Sequence, residues 1–163
     1  MVCPHAFLFA GYNIYFWEFD MICKNVKIEI DSLVEDLDDN GLVSDSSKTA
    51  GVFEGKMKSD GKSFLISYTQ TEENEKTDSE IELNGGVVTV IRRGALKCNF
   101  LFSEGKTASS LYSVGPYSFD AEIYTRKIRS SFGEDGGEIT LIYDMTLGGA
   151  KKKTKMKIRV SGK

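Results

Sequence analysis

The residue whose type and setting most invite chemistry is Arg92. It ends the row Val88, Val90, Arg92 inside the run Val87 to Gly94. In an extended chain a two-residue period turns all three side chains to one face, so a guanidinium follows two apolar residues inward. A charge in such a place is costly unless a carboxylate or several acceptors meet it. Glu72, Glu80 and Glu82 offer carboxylates, and Tyr68, Tyr112 and Tyr143 offer hydroxyls. Two readings stay open. In one, the arginine fork anchors an anionic head group, with Tyr68, Glu72, Tyr112 and Tyr143 as its candidate binding set. In the other, Arg92 closes one end of the core in an internal ion pair. If Val87, Thr89 and Ile91 face inward instead, Arg93 takes the interior place.

Other chemistries find few residues to work with. The lone histidine, His5, falls in the N-terminal segment outside every predicted strand. Serine–histidine and cysteine–histidine catalysis, and histidine-ligated metals, therefore lack a base or ligand in the folded body. Cys3, Cys23 and Cys98 are odd in number with no close pair, which argues against a disulfide framework or a zinc ribbon and favours a reducing cytoplasm. Cys98 reads as a small buried hydrophobe in its strand. There is no phosphate-binding glycine loop, no Gly-x-Ser-x-Gly elbow and no Cys-x-x-Cys, and no carboxylate pair stands out by spacing. Four carboxylates fall within the five residues from Glu35 to Asp39, but the spaced ligands and closing glutamate of a calcium loop are missing. Neither a metal nor a cofactor is expected. The stretch Lys151 to Arg159 is basic, yet it carries no aromatic residue on which a base would stack, so nucleic acid is disfavoured as a partner.

The elements that must position Arg92 are strands. Met156, Ile158 and Val160 alternate with Lys155, Lys157 and Arg159, and Val26, Ile28 and Ile30 with Lys27, Glu29 and Asp31. The row Ile139, Leu141, Tyr143, Met145, Leu147 is the cleanest. Asp60-Gly61, Gly85-Gly86, Gly115-Pro116 and Gly148-Gly149 mark hairpins between such runs. About ten strand candidates and no helical period result. An open sheet of that width would leave two adhesive edges, whereas closure removes them. The expectation is an all-β, up-and-down antiparallel barrel of about 8–10 strands, with a two-sheet sandwich as the competing answer. Gly51 and Gly55 mark the sharp bends that closure requires. With 163 residues and a net charge of −3, residues 21–163 form one domain. Residues 1–20 are apolar and aromatic, hold the only tryptophan, and are too short an apolar run to span a bilayer. They are read as a leader outside the fold, with Met21 as the functional start.

Several short signatures then line up: Ser67-Tyr68, Glu72, Thr77 to Ile81, Val90-Ile-Arg92-Arg-Gly94-Ala-Leu-Lys97, Phe100 and Phe102 ahead of Gly105, Tyr112 ahead of Pro116-Tyr117, and Gly137 to Asp144. In that order and spacing, from about Val26 to Val160, the chain resembles the YwiB family of small bacterial proteins with a lipocalin-like (calycin) barrel. The resemblance implies the fold and a bacterial cytoplasmic setting, and no activity. The Gly-x-Trp signature of true lipocalins is absent from the barrel, so no lipocalin function is borrowed. The resulting expectation is a non-enzymatic barrel that holds a small apolar, amphipathic or anionic ligand. The alternative is an interaction or regulatory module with a filled barrel that binds a protein or RNA on its surface. Phe64, Tyr68, Phe100, Phe102, Phe119 and Tyr143, large and inward by period, lean toward filling.

Overall fold

The structure, a computed structural model, describes residues 21–163. The expected leader over residues 1–20 lies outside the described residues. Ten strands follow one another: β1 (Ile22–Leu37), β2 (Val43–Ser59), β3 (Phe64–Glu72), β4 (Glu75–Asn84), β5 (Val87–Gly94), β6 (Leu96–Phe102), β7 (Thr107–Val114), β8 (Tyr117–Gly133), β9 (Gly136–Leu147) and β10 (Ala150–Gly162). Each pairs antiparallel with the next, and β1 pairs with β10 to close the barrel. That last ladder runs from Val26 opposite Gly162 to Leu37 opposite Lys151. Continuous first-to-last pairing rules out the two-layer sandwich and bears out the barrel.

The acidic stretch at the end of β1 stays in the strand through Leu37. Its charges explain why. Glu35 and Asp36 stand opposite Lys153 and Lys152 of β10, and the Lys152 ammonium sits 2.5 Å from the Asp36 carboxylate. Asp31 likewise meets Arg159. Opposite charges across a ladder favour pairing. Part of the basic run of β10, Lys152, Lys157 and Arg159, is thus paired with acids inside its own sheet. Only at Asp38 does the chain turn, with its carboxylate accepting the backbone N–H of Asn40 and Leu42.

Two features correct the period where sequence alone leaves it ambiguous. In β8 the buried row Ala121, Ile123, Thr125 occupies odd positions, while Ile128 and Phe132 pack against the core from even ones. A bulge between Thr125 and Lys127 changes the parity. Arg126, at the bulge, points outward and bonds Asp144 through Nε at 2.8–2.9 Å. At Gly55 the chain makes the expected corner. A Cβ there would run into the Ser67 carbonyl and meet Ile28 Cδ1 at 2.8 Å, so only glycine lets β1, β2 and β3 approach so closely. Pairing between β2 and β3 covers only Gly55 to Ser59, and between β6 and β7 only Leu96 and Lys97 with Ser113 and Val114.

In an up-and-down barrel the turns after odd-numbered strands gather at one end, here termed the mouth, and those after even-numbered strands at the other, the floor. The floor half is filled. Phe102 and Tyr143 pack at 4.8 Å between ring centroids, and Phe64 and Phe132 at 5.3 Å. Ile28, Met57, Ile66, Ile81, Ile123, Leu141 and Ile158 are buried among them. Each such side chain contributes roughly 1.5–3 kcal/mol by leaving water. Phe119 departs from the filling expected of it: it lies at the mouth, beside Gly148, and is exposed.

Candidate functional site

Neighbouring strands set inward side chains side by side in rungs across the barrel. One rung, read from β2 to β6, is Gly55, Tyr68, Ser79, Arg92 and Cys98. Below it the interior is mainly apolar, with Ser59 and Thr125 as buried polar exceptions; above it, toward the mouth, polar and charged side chains join the lining. Arg92 is half-buried and continues the buried row of Val88 and Val90, whereas Arg93 is exposed and pairs with Glu80 at 3.0 Å on the outer wall. Arg92 is therefore the interior arginine.

Its surroundings answer the ion-pair reading. Glu80 is taken by Arg93 outside, and Glu82 is exposed on the same outer face of β4. Glu72 accepts from the Gln70 side-chain amide. Among the described residues Arg92 enters no ion pair, and its Nε is buried without a hydrogen-bond partner. The neighbouring Ser79 Oγ on the same rung, and Thr125 Oγ1 across the barrel, are likewise buried and unpartnered. Thr125 belongs to the floor side, bonded through its backbone to Gly105 and Lys106; on the Arg92 rung itself, the unmet Arg92 Nε and Ser79 Oγ call for an occupant, whether water or ligand.

A recess of about 200 Å³ opens above this rung. Arg92 forms part of its wall, with Thr77 and Gln70 beside it, Ala95, Leu96 and Val114 as an apolar flank, and Glu72 and Glu75 toward the turn. Gly94 helps create this space. It follows Arg92 at the position where the next inward side chain would stand, with φ +121, and a Cβ there would strike the Lys76 carbonyl. The chain kinks instead, held by Ala95 N–H to the Lys76 carbonyl at 3.0 Å and Leu96 N–H to Thr77 Oγ1 at 3.3 Å.

The five residues expected from sequence divide accordingly. Arg92 and Glu72 line the recess. Tyr112 stands at its side, its ring stacked on Phe100 at 6.2 Å and 7°. Tyr143 lies deeper, and Tyr68 stacks on Phe53 at 4.7 Å on the Arg92 rung without lining the recess. Burial pushes the Tyr143 hydroxyl from the usual 10.0 up to about 12, while its hydrogen bond with Thr154 and the Arg92 charge pull the other way. Burial also raises the Tyr112 hydroxyl and the Cys98 thiol, and in both the Arg92 charge opposes the shift. All three groups stay neutral near pH 7 and feel the same unneutralised cation. Gln70, Glu75, Thr77, Ala95, Leu96 and Val114 were missed from sequence. The inward period of β3 and β4 was signal enough for Gln70, Glu75 and Thr77, whereas Leu96 and Val114 come together only through the β6–β7 pairing.

With this geometry in view, the relatives of the chain can be placed. Residues 12–159 match the family model described as a domain of unknown function (DUF1934). The chain belongs to that family. Within it, the chain is 27% identical over 123 residues to the uncharacterized beta-barrel protein YwiB of Bacillus subtilis (strain 168), which spans 76% of this chain and 82% of that protein. The crystal structure of the ywiB protein from Bacillus subtilis superposes with a TM-score of 0.76 at 23% identity, over 91% of this chain and 99% of that one. The YwiB-like resemblance read from the sequence is thereby shown, and the DUF1934 barrel is the fold the two share. Among the described residues no helix is long and apolar enough to cross a membrane.

Proposed function

We propose that this barrel is a binding protein, working in the cytoplasm, whose mouth takes a small amphipathic anion. The head group meets Arg92, and a short apolar portion lies against Ala95, Leu96 and Val114. One observation carries the reading: a half-buried guanidinium with a buried, unpartnered Nε lines a recess instead of an ion pair. The filled floor limits the ligand. At about 200 Å³ the recess is below the roughly 300–1,000 Å³ of drug-sized sites, so the occupant is small and sits at the mouth rather than along the barrel axis. Tyr112 and Tyr143 support Arg92 from the side and below, as neutral walls that leave its charge undiminished. Native mass spectrometry of the full chain, purified gently from its own host, tests this. A low-mass anion retained by the wild type and lost from Arg92→Gln is expected. Bare and identical spectra, together with recess amides unmoved in an NMR titration with butyrate to octanoate, would refute it.

A second reading has its own support. Outside Gly55 to Ser59, the outer edge of β2 has no ladder partner among the described residues, and Val43 and Val52 on it are exposed. An extended peptide adding to this edge would make the barrel an interaction module. Hydrogen exchange on the full chain with and without a host extract fraction would show β2 amides newly protected.

A further inference from the structure

The proposed anion site carries a charge pattern that an anion alone does not satisfy. Glu72 and Glu75 are the last pair of the β3–β4 ladder, directly opposite each other. By the period that buries Tyr68 and Ser79, both fall on the inward side of their strands, solvent-exposed at the mouth, and both line the recess that holds Arg92. Like charges set opposite each other across an antiparallel pair destabilise it. Among the described residues no lysine or arginine forms an ion pair with either one. Lys76, the nearest base in sequence, falls on the outward face of β4. The side chains lining the recess therefore sum to one positive and two negative charges, a net of −1. A simple carboxylate gains the Arg92 fork but also feels two carboxylates at the rim.

A ligand with both signs removes the conflict. We propose that the occupant is a short zwitterion: a carboxylate or similar anion at Arg92, an ammonium between Glu72 and Glu75, and a few methylenes against Leu96 and Val114 in between. Glu75 lies four residues from the Ser79–Arg92 rung along β4, about 13 Å of strand at 3.3–3.4 Å per residue. Arg92 and Glu75 line the same recess, and a short ω-amino acid is the ligand proposed to bridge their charged ends. The ammonium also neutralises the opposed carboxylates, so its binding relieves a repulsion built into the turn. This inference rests on the Arg92 reading and narrows its ligand class.

Isothermal titration of the full chain at low ionic strength with 6-aminohexanoate, hexanoate and hexylamine separates the two. The expected order is 6-aminohexanoate tighter than hexanoate by about tenfold or more, equivalent to 1.4 kcal/mol, with hexylamine weakest. The double variant Glu72→Gln/Glu75→Gln brings hexanoate level with 6-aminohexanoate, and Arg92→Gln abolishes binding of both while Arg92→Lys keeps part of it. Hexanoate binding as tightly as 6-aminohexanoate, and lost in Arg92→Gln, would overturn the zwitterion and leave the anion site standing. Hexylamine binding best and indifferent to Arg92→Gln, or no binding by any of the three, would overturn both.

Discussion

Arg92 and Arg93 are neighbours with the same side chain, and the barrel wall separates their fates. Arg93 points into solvent and closes a 3.0 Å pair with Glu80, both partners substantially exposed. Arg92 points inward, reaches no carboxylate among the described residues, and keeps an unmet Nε. An exposed pair contributes little because water screens both charges before and after it forms. An unpaired interior cation costs free energy, and it is this cost at the head of a well-packed row that the proposed ligand would offset. The same contrast separates floor from mouth. Below the Arg92 rung, aromatic rings and aliphatic side chains fill the interior; above it, Gly94 leaves a gap and the lining turns polar.

The contrast can be broken or sharpened by experiment, the largest effect coming first. Phe102→Ala, at the centre of the floor, should cost about 3–5 kcal/mol in denaturant unfolding, because a buried ring leaves a cavity that β-strands cannot collapse into. A loss below 1 kcal/mol would mean the floor is not the packed half. Alkaline titration comes next. Tyr143 has its hydroxyl raised to about 12 in the folded chain, so the unfolded chain gives up this proton first. Its contribution is intact below pH 10 and is lost as pH rises from 10 to 12, up to about 3 kcal/mol. Tyr112 and Cys98, also raised by burial, add in the same direction. In Tyr143→Phe the fall between pH 10 and 12 should be visibly shallower; an unchanged slope would show that the hydroxyl is not buried in solution.

Smaller effects probe the mouth. Gly94→Ala forces a side chain into positive φ against the Lys76 carbonyl and should cost roughly 1–3 kcal/mol while weakening ligand binding at the recess. Wild-type stability with full binding would detach Gly94 from the site. Arg92→Gln removes an uncompensated charge, so thermal melting should hold steady or rise even as binding disappears. A melting temperature lowered by ten degrees would instead identify a structural ion pair. Arg93→Gln is the control, its melting point moving by no more than about 3 °C because exposed pairs are worth under about 1 kcal/mol.

The chain by itself determined the barrel. Alternation at every second position chose strands, Gly-rich turns set nearly every connection at hairpin length, and width forced closure; ten strands and the corner at Gly55 follow from those facts. Arg92 was legible as an interior candidate for the same reason, since period two is a local property of extended backbone. What stood beside it was not. The bulge at Arg126 resets the parity of β8, and the β6–β7 pairing brings Val114 to Leu96 across a loop. Whether Arg92 met a partner depended on which face of β4 carried Glu80 and how far inward Glu72 reached, and side-chain reach across strands is settled only when the cylinder closes.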